Sequence, residues 1–300
     1  MFPIIPANSV AEEAGNDEGI FGFGYTPTWL SITNLISNAG VVATDTTGVG
    51  TARGYLAACE YGGNKGIFGF GYDDSHLGVT NLVTNAGVVG TDVAAVGTAR
   101  AALAACSYGG DKGIFGYGSH SSRVSTTNLV TNAGVVGTDV VGVGTGRDYP
   151  AACEYGGDKG IFGFGLPNGS VVGITNLVTN AGVVGTDVAA VGTARRALGA
   201  CGYGEDTGIF GFGLAGSNVD ETNLVSNTGV VGTDVTGVGT DRHAPAATQY
   251  GVDKGIFGFG HLGAGGVVGM TNLVSNTGVV ASDVSAVGTA RAQLGGCSFN

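Results

Sequence analysis

Short apolar runs bracketed by glycine alternate along this chain with polar turns, and one run sets the register for all the others. Lys65-Gly66-Ile67-Phe68-Gly69-Phe70-Gly71 returns nearly unchanged five more times, its isoleucine falling at Ile20, Ile67, Ile114, Ile161, Ile209 and Ile256. The steps are 47, 47, 47, 48 and 47 residues, a period that belongs to solenoids, propellers and modular arrays. In the second copy, residues 67–70 have the composition of a buried strand. Thr80-Asn81-Leu82-Val83-Thr84 follows as another, then a turn at Asn85-Ala86-Gly87, since Asn and Gly tolerate positive φ. A third β-prone run spans 88–98, and Arg100 opens a fourth over 101–108, which closes on Gly109-Gly110-Asp111-Lys112. No 3.6-residue apolar period of useful length appears. The expectation is an all-β chain with four strands per unit.

The ends of the chain fit each other. The pattern is entered at Gly19-Ile20-Phe21-Gly22, the second strand of a unit, and left at 291–299, the first strand of one. Together the two ends complete one unit. An open solenoid would want polar caps, whereas joining the ends removes both unpaired edges. The spacing therefore predicts a six-bladed β-propeller of four-stranded blades over 19–300, closed by pairing strand 291–299 with strand 19–24. Residues 1–18 become an extension in which Pro3 and Pro6 preclude a helix. Its Phe2, Ile4 and Ile5 form either a frayed tail or an apolar clip that docks on a partner.

Each unit has an Arg before its first strand (Arg53, Arg100, Arg147, Arg195, Arg242 and Arg291), a turn, a Gly-rich second apolar strand and two outer strands. In this the repeat resembles the kelch type of propeller over residues 19–299. The Tyr and Trp typical of that family's outer strands are absent, and Thr-Asn-Leu-Val and Thr-Asp-Val stand in their place. The resemblance implies the fold and no single function, because kelch-like propellers serve as scaffolds, lectin-like binders, enzymes and virion parts. The near-identical copies and the Gly-Val-Gly-Thr runs are also similar to repeat proteins predicted in marine bacteriophage genomes. That resemblance implies a virion component, fibre-associated or on a tail or capsid surface, with other virion proteins as partners.

The copies differ most in two places. From each Thr of Thr-Asn-Leu to its Arg is always 20 residues, and from that Arg to the following Tyr or Phe always 8. The stretch from Ile to Thr takes 13 residues in four copies, 14 in the fourth and 15 in the sixth, and it carries most of the sequence variation. The second variable spot follows the repeated Arg. In a four-stranded antiparallel blade both spots lie on one face, and the near-constant turns lie on the other. Variable loops on a rigid scaffold are where binding usually sits, although exposed loops also drift without selection. The candidate binding residues of that face are Tyr25, Trp29, Tyr72, Asp73, His76, His120, Arg123, Tyr149, His243 and His261. Trp29 leads them as the chain's single Trp.

Composition narrows the chemistry. Sixty Gly without a three-residue period exclude collagen, and their spread among Val, Ile, Phe and Leu excludes a disordered linker. A net charge of -11 argues against nucleic acid and against an anionic membrane surface. No apolar stretch reaches the length of a membrane span, and the N-terminus lacks the charged start of a secretory signal. Asp45, Asp92, Asp139, Asp187, Asp234 and Asp283 each precede the repeated Arg by eight residues, as expected of a structural network. The alternative is a carboxylate site for metal or sugar. Cys59, Cys106, Cys153, Cys201 and Cys297 share one repeat position, which is neither a zinc spacing nor a disulfide pairing. They are expected as small, reduced, buried side chains. The histidines have no ligand spacing, and no nucleophile-base pair stands out, so no metal, cofactor or catalysis is expected. The functional expectation is a non-enzymatic structural and binding protein whose variable face meets a host-surface protein or glycan. A lectin-like propeller is the alternative, and an enzyme acting on polysaccharide ranks last.

Overall fold

The computed structural model describes residues 17–94, 97–189, 191–285 and 287–300; Phe2, Ile4 and Ile5 lie outside them. The chain forms six small antiparallel sheets, with one helical turn, Gly263–Gly265, among the described residues. The second sheet shows the plan: inner strand Ala57–Tyr61, middle strand Lys65–Tyr72 and outer strand His76–Val83. The first sheet joins the chain's two ends. Gly295–Phe299 pairs with Glu18–Tyr25, which pairs with Trp29–Ile36.

Two expectations need correcting. The C-terminal strand begins at Gly295 and not at Arg291, because Gln293 adopts φ 61° and breaks the extended chain. Ala292 meets Tyr25 only through an isolated bridge. The same break shortens the inner strand of the third unit to Ala104–Tyr108. Among the described residues, the expected fourth strand occurs only in the second sheet, as Val93–Ala94. In the third unit the corresponding run touches its neighbour at two isolated bridges, Val130↔Val136 and Thr127↔Val140. Between them the Asn128 amide donates to Gly137 O at 3.0 Å and to Asp139 Oδ1 at 2.9 Å. The run is held by scattered backbone bonds, such as Val140 N to Thr127 O and Gly137 N to Leu129 O at 2.8 Å, together with this side chain, and not by a continuous ladder.

The middle strands are buried on both faces, which explains their unbroken apolar composition. Ile67, Phe68 and Phe70 are inaccessible, and so are their counterparts. Repeated Gly provides the sockets. A Cβ at Gly22 would stand 2.8 Å from the Phe68 ring, one at Gly69 2.6 Å from Phe115, and one at Gly258 2.8 Å from Phe21. Each unit's Phe thus fills the glycine notch of the unit before it, and the sixth notch receives the Phe of the first. The cysteines sit in a second set of notches: a Cβ at Gly113 would meet Cys59 Sγ at 2.6 Å. All five thiols are free and buried, and burial pushes Cys201 up to about 12. The inner strands likewise touch in cyclic order, with Ala246–Tyr250 against Gly295–Phe299 and the latter against Ala57–Tyr61. Backbone bonds follow the same order: Gly24 N donates to Arg53 O at 2.9 Å, and the series ends with Gly260 N to Arg291 O at 3.0 Å.

The repeated arginines are fully buried. Arg242 Nε donates to Phe259 O at 2.8 Å, Nη1 to Thr240 O at 3.2 Å and Nη2 to Asn272 Oδ1 at 2.6 Å. Its guanidinium lies 3.9 Å from the centre of the Phe212 ring of the preceding unit. Asp283 stands back at 3.8 Å and is occupied chiefly by the Thr240 amide and hydroxyl. Burial pulls the Arg242 pKa down to about 10, against the pull of Asp283, so the group is cationic at neutral pH. Arg242→Lys keeps the charge but loses the planar fork and strands buried acceptors. The expected loss in urea unfolding is on the order of 3 kcal/mol. An unchanged midpoint would refute a structural role for the fork.

Candidate functional site

The two variable spots of every unit meet. The residue after the repeated Arg is bridged to the residue that follows the Gly-aromatic-Gly bulge, as in Gly54↔Tyr72, Asp148↔Leu166, Arg196↔Leu214 and His243↔His261. All variable segments therefore gather at one end of the inner strands. At their centre Tyr55, Ala102, Tyr149, Ala197, Ala244 and Gln293 each adopt φ between 52° and 61°. This left-handed conformation costs a non-glycine residue about 1–2 kcal/mol. Bonds between units offset the cost. Tyr55 N donates to Gln293 O, Ala102 N to Tyr55 O, Tyr149 N to Ala102 O, and so on through Gln293 N to Ala244 O, at 2.8–3.2 Å. Six amides form a closed cycle.

Aromatic side chains cluster on one part of this end. Trp29 lies 4.6 Å from Tyr25, 5.7 Å from Tyr72 and 6.2 Å from Tyr55, ring centre to ring centre. Tyr72 continues to His76 at 5.4 Å, and Tyr55 to Tyr149 at 5.8 Å. The Trp29 indole donates to Asp74 at 3.3 Å. Of the sequence candidates, Tyr25, Trp29, Tyr72, His76 and Tyr149 thus join one patch. Asp73 only accepts a hydrogen bond from Ser75 within its own loop. His243 and His261 form a separate pair 5.0 Å apart. His120 and Arg123 stay apart from both: His120 engages Ser121, and Arg123 pairs with Asp148 at 3.0 Å.

Tyr55, Arg196 and Gln293 were missed by sequence reasoning. They stand in the second variable spot, and that spot was the available signal. With Tyr149, Leu214 and His243 they line a cavity of about 190 Å³ beside the aromatic patch. Burial raises the Tyr55 and Tyr149 hydroxyl pKa values, so both phenols stay protonated at neutral pH. Burial, with His261 and Arg196 nearby, lowers that of His243. Among the described residues no group of three metal-ligating side chains occurs, and no helix is long and apolar enough to cross a membrane.

A third variable position lies inside the space enclosed by the six inner strands. The residues after the repeated Cys or Thr are Glu60, Ser107, Glu154, Gly202, Gln249 and Ser298. The first five, with the Ala-Cys pairs before them, line a cavity of about 50 Å³. Ser107 donates to Glu154 and Ser298 to Glu60. Burial, followed by the charge of Glu60, pushes Glu154 from 4.5 up to about 8.

A folded-state pKa above the unfolded value means that the fold holds a proton which the unfolded chain has released. Stability therefore falls as pH rises from about 4.5 to about 8. Glu154→Gln removes that loss. Its melting temperature should exceed that of the wild type by about 3 °C or more at pH 8, with the difference shrinking toward pH 5. A variant less stable than wild type at pH 8 would contradict this account. Neither a protein-family model nor a curated protein sequence matches the chain.

Proposed function

We propose that the chain is a six-bladed, kelch-like β-propeller acting as a non-enzymatic binding module whose individual face recognises a glycan. The reading is carried by the convergence of every variable segment on one end, where Tyr25, Trp29, Tyr55, Tyr72 and Tyr149 form a connected aromatic surface. Aromatic rings give sugar faces apolar contact area at low entropic cost, and the Tyr hydroxyls and Trp N–H supply hydrogen bonds at the edges. Supporting the closed ring are the cyclic Phe-in-Gly packing, the six-amide cycle and the pairing of the two chain ends. Repeated Arg and Asp are consumed in structural bonds.

A second reading, attachment to a larger assembly such as a virion, is favoured by the opposite end. There Val41, Val88, Val135, Val183, Val230 and Val279 stand 60–64% exposed at one repeated turn position. Exposed apolar groups repeated in this way mark protein-contact surfaces. The two readings use different faces and are compatible.

On a glycan array, the wild-type protein should retain a subset of glycans, and Trp29→Ala should lower that signal about ten-fold while the circular dichroism spectrum stays unchanged. An array silent at high protein concentration would remove the glycan reading. For the assembly reading, Val88→Asp combined with Val230→Asp should prevent incorporation into the native particle. Normal incorporation would exclude that face as the attachment surface.

A further inference from the structure

The cavity beside the aromatic patch differs from the rest of this face in holding an unpaired positive charge. Eleven excess negative charges surround few cations, and most of those cations are committed. The six repeated Arg are buried in their networks, and Arg123 is taken by Asp148 at 3.0 Å. Arg196 has no carboxylate within ion-pair distance among the described residues. Its guanidinium lies 5.5 Å from the centre of the Tyr149 ring, and its charge is felt by Tyr55, Tyr149 and His243. That places it at the cavity wall with its donors unspent on acids.

The other lining groups complement it. The Asn218 amide donates to His261 O at 3.1 Å, which fixes its Oδ1 as the acceptor facing His243 Nδ1 at 2.8 Å. His243 therefore donates from Nδ1, and the neutral ring keeps Nε2 as an acceptor. Gln293 Oε1 is buried and has no hydrogen-bond partner within the protein. The cavity thus offers a planar cation, one imidazole acceptor, two phenols and an aromatic wall. Its 190 Å³ equals the liquid volume of about six waters, which suits one small ring.

We propose that this cavity is a binding site for a sugar residue bearing an anionic substituent, a carboxylate or sulfate ester, anchored by Arg196. The guanidinium fork meets such a group through two parallel hydrogen bonds, and Tyr149 behind it holds the fork in plane. Nε2 of His243 accepts from a ring hydroxyl, and the tyrosines cover the ring face. This inference rests on the glycan reading above and narrows it to one subsite and one charge type.

The test is titration of the full chain, followed by NMR chemical shifts, with methyl glucuronide, glucose 6-sulfate, methyl glucoside and sodium acetate. At least one of the charged sugars should bind about ten-fold or more tightly than both methyl glucoside and acetate. Arg196→Gln should bring that ratio close to one while the folded spectrum persists. Arg196→Lys, which keeps the charge without the fork, should recover only part of the preference. Equal binding of glucuronide, sulfated sugar and neutral glucoside overturns the proposal, as does a preference that survives Arg196→Gln. Acetate binding as tightly as the charged sugars also overturns it, because the site would then select a bare anion. A protein that retains glycans on the array but shows no charge preference refutes this subsite alone. Silence in both measurements refutes the glycan reading itself.

Discussion

A guanidinium with no access to water organises each unit of this protein. Arg53 binds the carbonyl of Thr51 in the segment arriving from the previous unit, the carbonyl of Phe70 in the bulge of its own middle strand, and Asn81 in the outer strand. Its face covers Phe23 of the unit before, 4.1 Å from the ring centre. An unpartnered charge there would be expensive, and each of the three guanidinium nitrogens of Arg53 finds an acceptor. Four chain segments are fixed relative to one another as a result. Asn81 then passes the constraint on, donating to Asp92 at 2.9 Å, and Asp92 accepts from the Thr51 hydroxyl at 2.6 Å. Burial works to raise the Asp92 carboxyl, but the Thr51 and Asn81 bonds and the Arg53 charge outweigh it and leave its pKa lowered. The loop of contacts returns to its starting segment.

That constraint explains why glycine and strained aromatics recur beside each arginine. To present its carbonyl to Arg53, Phe70 adopts φ 62°, a left-handed conformation that an aromatic residue rarely takes. The strain is tolerated because the Phe70 ring is wholly buried, packing edge-on at 5.2 Å against Phe115, while the Arg100 guanidinium lies over it at 4.4 Å. Gly69 next to it has to be glycine, since a Cβ would occupy the space of the Phe115 ring. The Gly-aromatic-Gly motif is therefore an interlock between neighbours. Its repetition reflects six equivalent contacts, not six equivalent ligand sites.

What the sequence disclosed follows from the same logic. Fixed spacing transmits fixed contacts, so the period, the pairing of the chain's ends, the buried middle strands and the division into uniform and individual ends were all readable. The outer run differs from the expected strand because β-prone residues such as Val135, Val136 and Val140 suggested a continuous ladder, whereas isolated backbone bonds and the Asn128 side chain between them hold the run. Tyr55 and Gln293 were overlooked because nothing in a sequence marks a non-glycine residue for positive φ; only the amide cycle between units shows it. Glu60 and Glu154 were legible in principle. The position after the repeated Cys varies among the copies, but it falls within a strand, where attention to loops did not reach.

The arrangement separates what must be repeated from what can be individual. Residues that contact the neighbouring unit, such as Arg53, Gly69, Phe68 and Cys59, recur because a change in one unit damages two. Side chains of the six-amide cycle, and of the residues just before it, line the cavity and the aromatic patch and lie outside the Arg, Phe-Gly and Cys-Gly contacts between units, so each unit can carry a different one. Tyr55, Tyr149, Arg196, His243 and Gln293 occupy such positions. The left-handed turn that each unit shares fixes the backbone, and with it the direction of the side chain, before any choice of residue is made. Chemical diversity is thereby confined to a rigid rim, a geometry that lets a nearly uniform chain present one differentiated surface.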